Sequence, residues 1–394
     1  MIRPHSDRDF SVKGFAALGV LIIAATIVTV AQSGHEFPIY PSYYPHQIRI
    51  ETMSPKRGGD LLLEGKIQAY VGGEPRFTRS LPDSISAVES LGSFVIVRVN
   101  PESSLAKDGA STCAVAQAVV GDIAVRPGVI VFHPYPITPL DGDYLYHVDL
   151  ADAAKARLAR KSDDAAAPAM QKLTVRANSD AAASVVRRDR YVRSGEWDAE
   201  VAEIPLVDLV AHSAATTNGW LGPPWIKTGW FHAALLLASS VDDSGAKDRA
   251  QAALQRLESG AYETTVERIN LERELVSTLS SNCRSVVAGY TVKREYISTE
   301  YSAGIENVGF DSIDGLNSPI FIRTVKLKDF PWNGWLSLGI NSPPGAAWNP
   351  IAGFNDPFGR LMWSALGDPA LLPLPNDSRW MLNRVADVQS SRSP

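Results

Sequence analysis

The sequence has few cysteines and no extended basic run, and both shortages exclude classes of function. Its two cysteines, Cys113 and Cys283, lie far apart without a CxxC or CxxCH motif. This spacing excludes a c-type haem and a thiolate zinc cluster. The formal net charge is −5. Because nucleic-acid binding begins with Lys and Arg neutralising phosphates, nucleic acid is not an expected partner.

The two cysteines leave two alternatives open. In an oxidising compartment, a disulfide between Cys113 and Cys283 would join the two halves of the chain. Alternatively, each is a buried thiol that packs as a small hydrophobic side chain. Their spacing alone does not choose between these alternatives.

Only one long hydrophobic run is present, from Gly14 to Ala31. At about 1.5 Å per residue, its 18 residues cross most of a hydrocarbon core. Because Arg3, Arg8 and Lys13 precede it, the positive-inside rule predicts a cytoplasmic N-terminus and an exported body. We predict a signal-anchor that holds a single-pass protein in the inner membrane with its bulk in the periplasm. Cleavage after Ala31 is the alternative, and it would release the body.

The rest of the chain changes character twice. Short β-branched segments separated by Gly and Pro come first, an Ala-rich stretch follows, and helical segments with Trp-rich loops come last. The predicted divisions are a cytoplasmic N-terminus (1–13), a transmembrane helix (14–31), a β-rich periplasmic domain (35–150), an Ala-rich linker (151–190), a mixed periplasmic domain (191–380) and a polar tail (381–394). The predicted fold class is therefore α+β, with a single N-terminal transmembrane helix, a small β-rich domain and then a mixed helical and loop-rich domain.

Local patterns also predict individual elements. Predicted strands are His46–Met53, Leu61–Val71, Phe94–Asn100 and Gly128–Tyr135, because they are short and β-branched. Predicted helices lie in the segments GWFHAALLLASS, SGAKDRAQAALQRLES and YETTVERINLERELVSTLSS, which turn residues separate.

No ordered catalytic motif is present, and G-x-S-x-G is absent. In the segment LQRLESGAY, Glu258 and Ser259 form a pair that resembles the catalytic Glu-Ser of lytic transglycosylases. That resemblance implies Glu258 as an acid that protonates a glycosidic oxygen. The glycine-rich turn that should follow is missing, and a helix that ends at Gly260 explains the same residues.

A charged pair is predicted inside the apolar face of the helix that starts near Tyr262. At about 100° per residue, Arg268 and Glu272 fall within the arc formed by Leu271 and Leu275. Charges on a buried face must be paired, so we expect these two to bond to each other or to partners across the packing. Perturbed buried carboxylates also mark active sites, so both are candidate catalytic residues.

The segment HPYPITPLDGDYLYHVDLAD concentrates groups that bind metal ions. His133, Asp141, Asp143 and His147 are candidate ligands for a divalent cation, because carboxylates and imidazoles are common metal ligands. The alternative is an ordinary turn in which the Asp side chains accept from nearby backbone N–H groups. No cofactor is predicted.

The leading functional hypothesis is a non-enzymatic, membrane-anchored periplasmic protein that assists or assembles with an envelope complex. It rests on the predicted anchor, the missing catalytic set and the aromatic loops, and its expected partner is another membrane or periplasmic protein. The alternative is a cell-envelope hydrolase that acts on a glycan or a peptide. For that alternative, Glu258, Arg268 and Glu272 are the residues to test.

Overall fold

The computed structural model describes residues 45–126, 128, 130–161, 173–211, 224–329, 334–345, 356–367, 370–375, 379–383 and 385–387. They belong to the unit Tyr44–Pro394. The predicted transmembrane segment, 14–31, lies outside these residues.

Strands and helices are interspersed along the described residues. The strands are β1 (Gln47–Thr52), β2 (Ala69–Val71), β3 (Ile85–Val99), β4 (Ile130–Phe132), β5 (Val175–Ala177), β6 (Ala199–Pro205), β7 (Ser285–Ser298), β8 (Ile305–Asn307), β9 (Lys326–Leu327), β10 (Trp335–Ile340), β11 (Leu371–Pro373) and β12 (Trp380–Leu382). The α-helices are α1 (Pro55–Leu63), α2 (Gly109–Ala124), α3 (Val148–Lys161), α4 (Asp180–Val185), α5 (Leu206–Ala211), α6 (Gly229–Leu237), α7 (Ser244–Ser259), α8 (Thr265–Leu279), α9 (Pro319–Thr324) and α10 (Pro357–Leu366).

Eight of the strands form one mixed sheet in the order β1-β10-β2-β7-β3-β6-β5, with β4 added beside β7. The pairs β1–β10, β10–β2 and β5–β6 are parallel, whereas β7 pairs antiparallel with β2, β3 and β4. The long strands β3 and β7 form the centre, with Ile85 opposite Ser298 and Arg98 opposite Ser285. The two halves of the chain therefore contribute adjacent strands to the same sheet.

Strand β3 is apolar on both faces of this sheet. Phe94 and Ile96 alternate with Val95 and Val97, and all four side chains are fully buried. Successive side chains of a strand point to opposite faces, so both faces must be covered. Helices α6, α7 and α8 pack against the Phe94 face, and α2 and α4 pack against the Val95 face. This arrangement is an α/β sandwich of helices around a sheet.

The predicted α+β fold class was wrong. It placed a small β-rich domain before a separate mixed domain, whereas Gln47 of β1 pairs with Trp335 of β10 in one sheet with helices on both faces. Within the described part of the chain, no helix has the length and apolarity to cross a membrane.

A disulfide joins Cys113 of α2 to Cys283, which lies between α8 and β7. The Cα atoms are 4.8 Å apart, although the two residues are separated by 170 positions in the sequence. The alternative of two unrelated thiols is thereby excluded.

Local capping residues set where the helices beside the site begin and end. Asp108 and Ser111 form a capping box at the start of α2. The side chain of Thr264 accepts from the backbone N–H of Glu267 and starts α8. Helix α7 ends at Gly260, whose φ of 69° is left-handed and favours glycine. These signals fix the residues at which α2 and α8 begin and at which α7 ends.

Candidate functional site

The segment between β4 and α3 carries a series of buried polar side chains. His133, Asp141, Asp143 and His147, the predicted metal ligands, are each at most 4% exposed. Buried polar groups are stable only when they are hydrogen-bonded or coordinated, so the partners of each one decide what it can do.

Asp143 accepts hydrogen bonds from the first residues of α6. Its two carboxylate oxygens lie 2.8 Å from the backbone nitrogen of Gly229 and 3.1 Å from that of Trp230. The positive end of the helix dipole favours a carboxylate there. Gly229 is required because an added Cβ would lie 2.6 Å from the side chain of Ile137. The turn that carries Asp143 is thereby fixed against α6.

Asp141 and His232 form a second buried pair. One oxygen of Asp141 accepts from the backbone N–H and the hydroxyl of Thr138, and the other lies 3.1 Å from Nδ1 of His232. Nε2 of His232 lies 2.8 Å from the carbonyl of Ile226, so it carries a proton that it donates there. Asp141 is therefore engaged in fixing the loop to α6.

His133 has partners of its own and does not belong to the cluster of candidate ligand atoms. Its Nε2 lies 2.8 Å from the carbonyl oxygen of Ile137, and its ring packs among aromatic residues. Burial lowers the pKa of His133, so the neutral ring is favoured. Both His133 and Asp141 thus have structural partners of their own.

Asp143, His147 and Glu272 converge in the interior. One ligand atom from each lies within 4.8 Å of the other two, and all three side chains are buried. Nδ1 of His147 lies 2.9 Å from the hydroxyl of Tyr135, whereas Oε1 of Glu272 accepts a 2.6 Å hydrogen bond from Nη1 of Arg268. The remaining atoms, Nε2 of His147 and Oε2 of Glu272, have no hydrogen-bond partner among the described residues.

The electrostatics of this cluster shift the pKa of each group toward its neutral form. Burial, together with the nearby charge of Asp143, raises the pKa of Glu272 to about 7. Burial also raises the pKa of Asp143 to about 6, with Asp141 acting in the same direction. Burial lowers the pKa of His147 to about 4. A buried group of acids beside a neutral imidazole is an arrangement found at functional sites.

The structure brings four of the predicted site residues together, namely Asp143, His147, Arg268 and Glu272. The expected contact between Arg268 and Glu272 is confirmed by their hydrogen bond. Glu258 lies apart, exposed in the last turn of α7, which Gly260 caps. The catalytic or metal-binding roles of all these residues stay predictions.

Sequence reasoning missed Tyr135 and His232. Tyr135 stands inside the segment HPYPITPLDGDYLYHVDLAD, and its phenol orients the imidazole of His147, a contact that sequence spacing does not reveal. His232 lies in the apolar helix segment GWFHAALLL. A lone polar residue in such a segment signals a buried hydrogen-bond partner, and here that partner is Asp141.

A cavity of about 430 Å³ lies beside the cluster. Its walls come from α2, the loop after β4, α3, the end of α6, the residues that follow α8, and the start of β7. The apolar wall includes Val120, Pro136, Leu237 and Val287. Gln117 and Arg157 add polar groups. Tyr135 lines the cavity and hydrogen-bonds to His147, so it connects the cavity with the cluster.

No protein family matches the chain, and no curated protein matches it. Among solved structures, the chain is similar to HbpA2 from Haemophilus parasuis, at 13% identity over 62% of this chain and 50% of that chain, with a TM-score of 0.36. It is also similar to the ABC transporter-associated periplasmic binding protein DppA from Helicobacter pylori in complex with the peptide STSA, at 13% identity, 65% and 52% coverage and a TM-score of 0.37.

A third similar structure is the oligopeptide-binding protein AppA from Bacillus subtilis in complex with a nonapeptide, at 13% identity. The alignment covers 66% of this chain and 57% of that chain, with a TM-score of 0.34. The chain spans between half and three fifths of the length of these three structures.

Proposed function

We propose that this protein binds a small, mainly apolar molecule with an anionic group, without transforming it. It acts outside the cytoplasm and serves another envelope protein. The cavity of about 430 Å³ beside Arg157 carries this proposal. Volumes of about 300–1,000 Å³, with mostly apolar walls and a few polar groups, are typical of small-molecule sites.

Arg157 gives the cavity its charge preference. It lies on α3 with an exposed side chain, and it forms no ion pair or hydrogen bond within the described part of the chain. A guanidinium presents five N–H donors in a planar fork that matches a carboxylate or a phosphate. The anionic group of the ligand would face Arg157 while its apolar body contacts Leu237 and Val287.

The chemistry of the wall supports binding rather than catalysis. The described lining residues include neither a carboxylate nor an imidazole, the groups that most often act as general acids and bases. Tyr135 lines the cavity from the loop, and burial raises the pKa of its phenol. It therefore stays neutral near pH 7 and offers a hydrogen bond.

The disulfide supports both the compartment and the site. Disulfides persist in oxidising compartments, which favours a location outside the cytoplasm. Cys283 lines the cavity, and Cys113 belongs to α2, which supplies another wall. The bond therefore holds two walls of the cavity together.

The dye 8-anilinonaphthalene-1-sulfonate tests the site, because it combines apolar rings with a sulfonate. We expect saturable binding of one dye per folded chain. Arg157→Gln removes the cation and should weaken binding about tenfold, since a hydrogen bond to a charged group contributes about 1.5 kcal/mol or more. Gln117→Trp places an indole in the cavity and should abolish binding. Arg188→Gln removes an exposed arginine that does not line the cavity and is the matched control.

Equal dye affinity in the wild type, Arg157→Gln and Gln117→Trp would overturn the proposal. Circular dichroism of each variant confirms that its fold is intact before the affinities are compared. Release of sugars or peptides from cell-envelope material by the wild-type chain, with loss of that activity in Glu272→Gln, would instead support a hydrolase.

The proposed partner is a membrane or periplasmic protein. Support comes from two exposed aromatic side chains, Trp335 at 69% and Tyr301 at 87% exposure, because aromatic residues are enriched at protein interfaces. A photo-crosslinking residue at position 335 should capture a specific envelope protein in intact cells, whereas the same residue at position 188 should not. If both positions yield only uncrosslinked chain, the accessory role is wrong.

A further inference from the structure

Three buried side chains from two distant parts of the chain converge near the start of α6. Asp143 and His147 flank the short turn before α3, and Glu272 lies on α8. Their ligand atoms lie within 4.8 Å of one another. We propose that Asp143, His147 and Glu272 bind one first-row divalent transition-metal ion, for which Zn²⁺ is the probe.

Two atoms of the cluster lack the partner that burial requires. Nε2 of His147 and Oε2 of Glu272 are inaccessible to solvent and form no hydrogen bond within the described residues, and both side chains are 0% exposed. Buried polar atoms in native proteins are nearly always satisfied by a protein group, a water or an ion. A cation that accepts both lone pairs would satisfy both atoms at once.

Tyr135 sets the direction of the imidazole. Nδ1 of His147 lies 2.9 Å from its hydroxyl oxygen. When Nδ1 carries the proton and donates to that oxygen, Nε2 keeps its lone pair for the ion. A hydrogen bond to the other ring nitrogen is the usual second contact of a metal-binding histidine, and it fixes the tautomer.

The charges around the cluster suit a divalent cation. When an ion displaces their protons, Asp143 and Glu272 together supply two negative charges, which balance it. The N–H groups at the start of α6 and the guanidinium of Arg268 hold these carboxylates in place. Each carboxylate oxygen has a second lone pair, so these hydrogen bonds do not prevent coordination.

The donor set selects the class of ion. Imidazole suits zinc, nickel, copper and iron, whereas sites built from carboxylates alone suit magnesium, calcium and manganese. Thiolate ligands do not contribute, because both cysteines form the disulfide. Three protein ligands are the number found where zinc keeps a fourth position for water. Zinc bonds of about 2.0–2.2 Å would draw the three side chains closer together.

Metal titration of the chain after dialysis against EDTA tests the proposal. We expect one Zn²⁺ per chain by calorimetry and native mass spectrometry, with a melting temperature that rises with free zinc concentration. His147→Ala and Glu272→Gln should each weaken binding by about 100-fold or more. Glu258→Gln makes the same chemical change on the exposed end of α7 and should leave zinc affinity unchanged.

A variant that keeps all three metal-binding side chains tests the proposal even if His147→Ala or Glu272→Gln fails to fold. Tyr135→Phe leaves all three ligands but removes the contact with Nδ1, so zinc affinity should fall by about 10-fold to 100-fold. Co²⁺ should give visible absorption bands in the wild type, and His147→Ala should lose them. The proposal is wrong if the wild type binds no stoichiometric zinc, or if Tyr135→Phe and Glu272→Gln bind it as tightly as the wild type.

The metal site and the proposed ligand of the cavity can be tested separately. Zinc affinity is measured without dye, and Arg157→Gln changes no metal ligand. A wild type that binds zinc but no dye would overturn the cavity proposal alone, and a wild type that binds dye but no zinc would overturn the metal site alone.

Discussion

Arg268 donates a 2.6 Å hydrogen bond to Glu272, four residues further along α8, and the side chain of the acceptor is fully buried. The donor is 20% exposed and its guanidinium lies near the ring of Tyr146. A carboxylate in the interior depends on such a partner, because its desolvation is costly. The ion pair lies within α8, and Arg268 connects that helix to the turn that carries Asp143 through its contact with Tyr146.

Arg268→Met should destabilise the fold by about 3 kcal/mol, since it leaves Glu272 buried without its cation. Urea denaturation in the presence of EDTA measures this loss. Arg256 and Glu267 form an exposed ion pair on α7 and α8, so Arg256→Met should cost less than about 1 kcal/mol. Equal losses in the two variants would contradict the structural importance of the buried pair.

Replacing both cysteines by serine should destabilise the protein by about 2–5 kcal/mol. The disulfide closes a loop between residues 170 positions apart, so its removal gives the unfolded chain much greater freedom. Denaturation with and without dithiothreitol measures the effect. Reductant should destabilise the wild type and leave the double variant unchanged, and a wild type that is insensitive to reductant would contradict the prediction.

Gly289→Ala should destabilise the protein by about 1–3 kcal/mol. An added Cβ on this residue of β7 would lie 2.3 Å from the carbonyl oxygen of Val131 in β4, so the two strands would have to separate. Gly121→Ala in α2 is the control, because the added Cβ would have no heavy atom of the described residues within 4 Å beyond its chain neighbours and the backbone of its own helix. It should stabilise the helix by about 0.5–1 kcal/mol. Thermal denaturation of both variants should show shifts of opposite sign.

The capping box of α2 should contribute a pH-dependent part of the stability. Hydrogen bonds from Ser111 hold the pKa of Asp108 below its usual value of 3.8. The carboxylate of Asp108 therefore binds a proton less readily in the folded state than in the unfolded state. The contribution is fully present above the unfolded pKa and is lost as the pH falls through the folded pKa.

Asp108→Asn isolates this effect, because asparagine caps the helix but does not titrate. The stability advantage of the wild type over Asp108→Asn should decrease as the pH falls from about 5 to about 2. Melting temperatures of both proteins across this range provide the measurement. A difference that stays constant with pH would show that the charge of Asp108 does not stabilise α2.

Local patterns predicted several elements correctly. The strand expected at His46–Met53 is β1, and the one at Phe94–Asn100 lies mostly within β3. Such segments are recognisable because alternation and β-branching are properties of neighbouring residues. The strand expected at Leu61–Val71 was wrong in its first part, which is the end of α1. Ser54 caps that helix and Pro55 begins it, and these two signals outweighed the apolar run that follows.

The architecture depended on pairings that neighbouring residues do not encode. Gln47 of β1 lies opposite Trp335 of β10, and no local pattern in β1 predicts which strand pairs with it. The prediction therefore divided the chain where its composition changes, although β3 and β7 from the two halves form the centre of one sheet. The site shows the same limit. The Arg268–Glu272 contact followed from their spacing on a helix, whereas the approach of Asp143 to Glu272 required the whole fold.

Tyr135 has one consequence for both proposals, because it contacts the cavity and His147 together. A ligand that moves the phenol ring alters the orientation of the imidazole, and an ion held by the imidazole fixes the ring. Thermodynamic linkage requires that each species change the equilibrium affinity of the other by the same factor. In such a protein, the affinity for the ligand of the cavity would depend on whether the metal ion is bound.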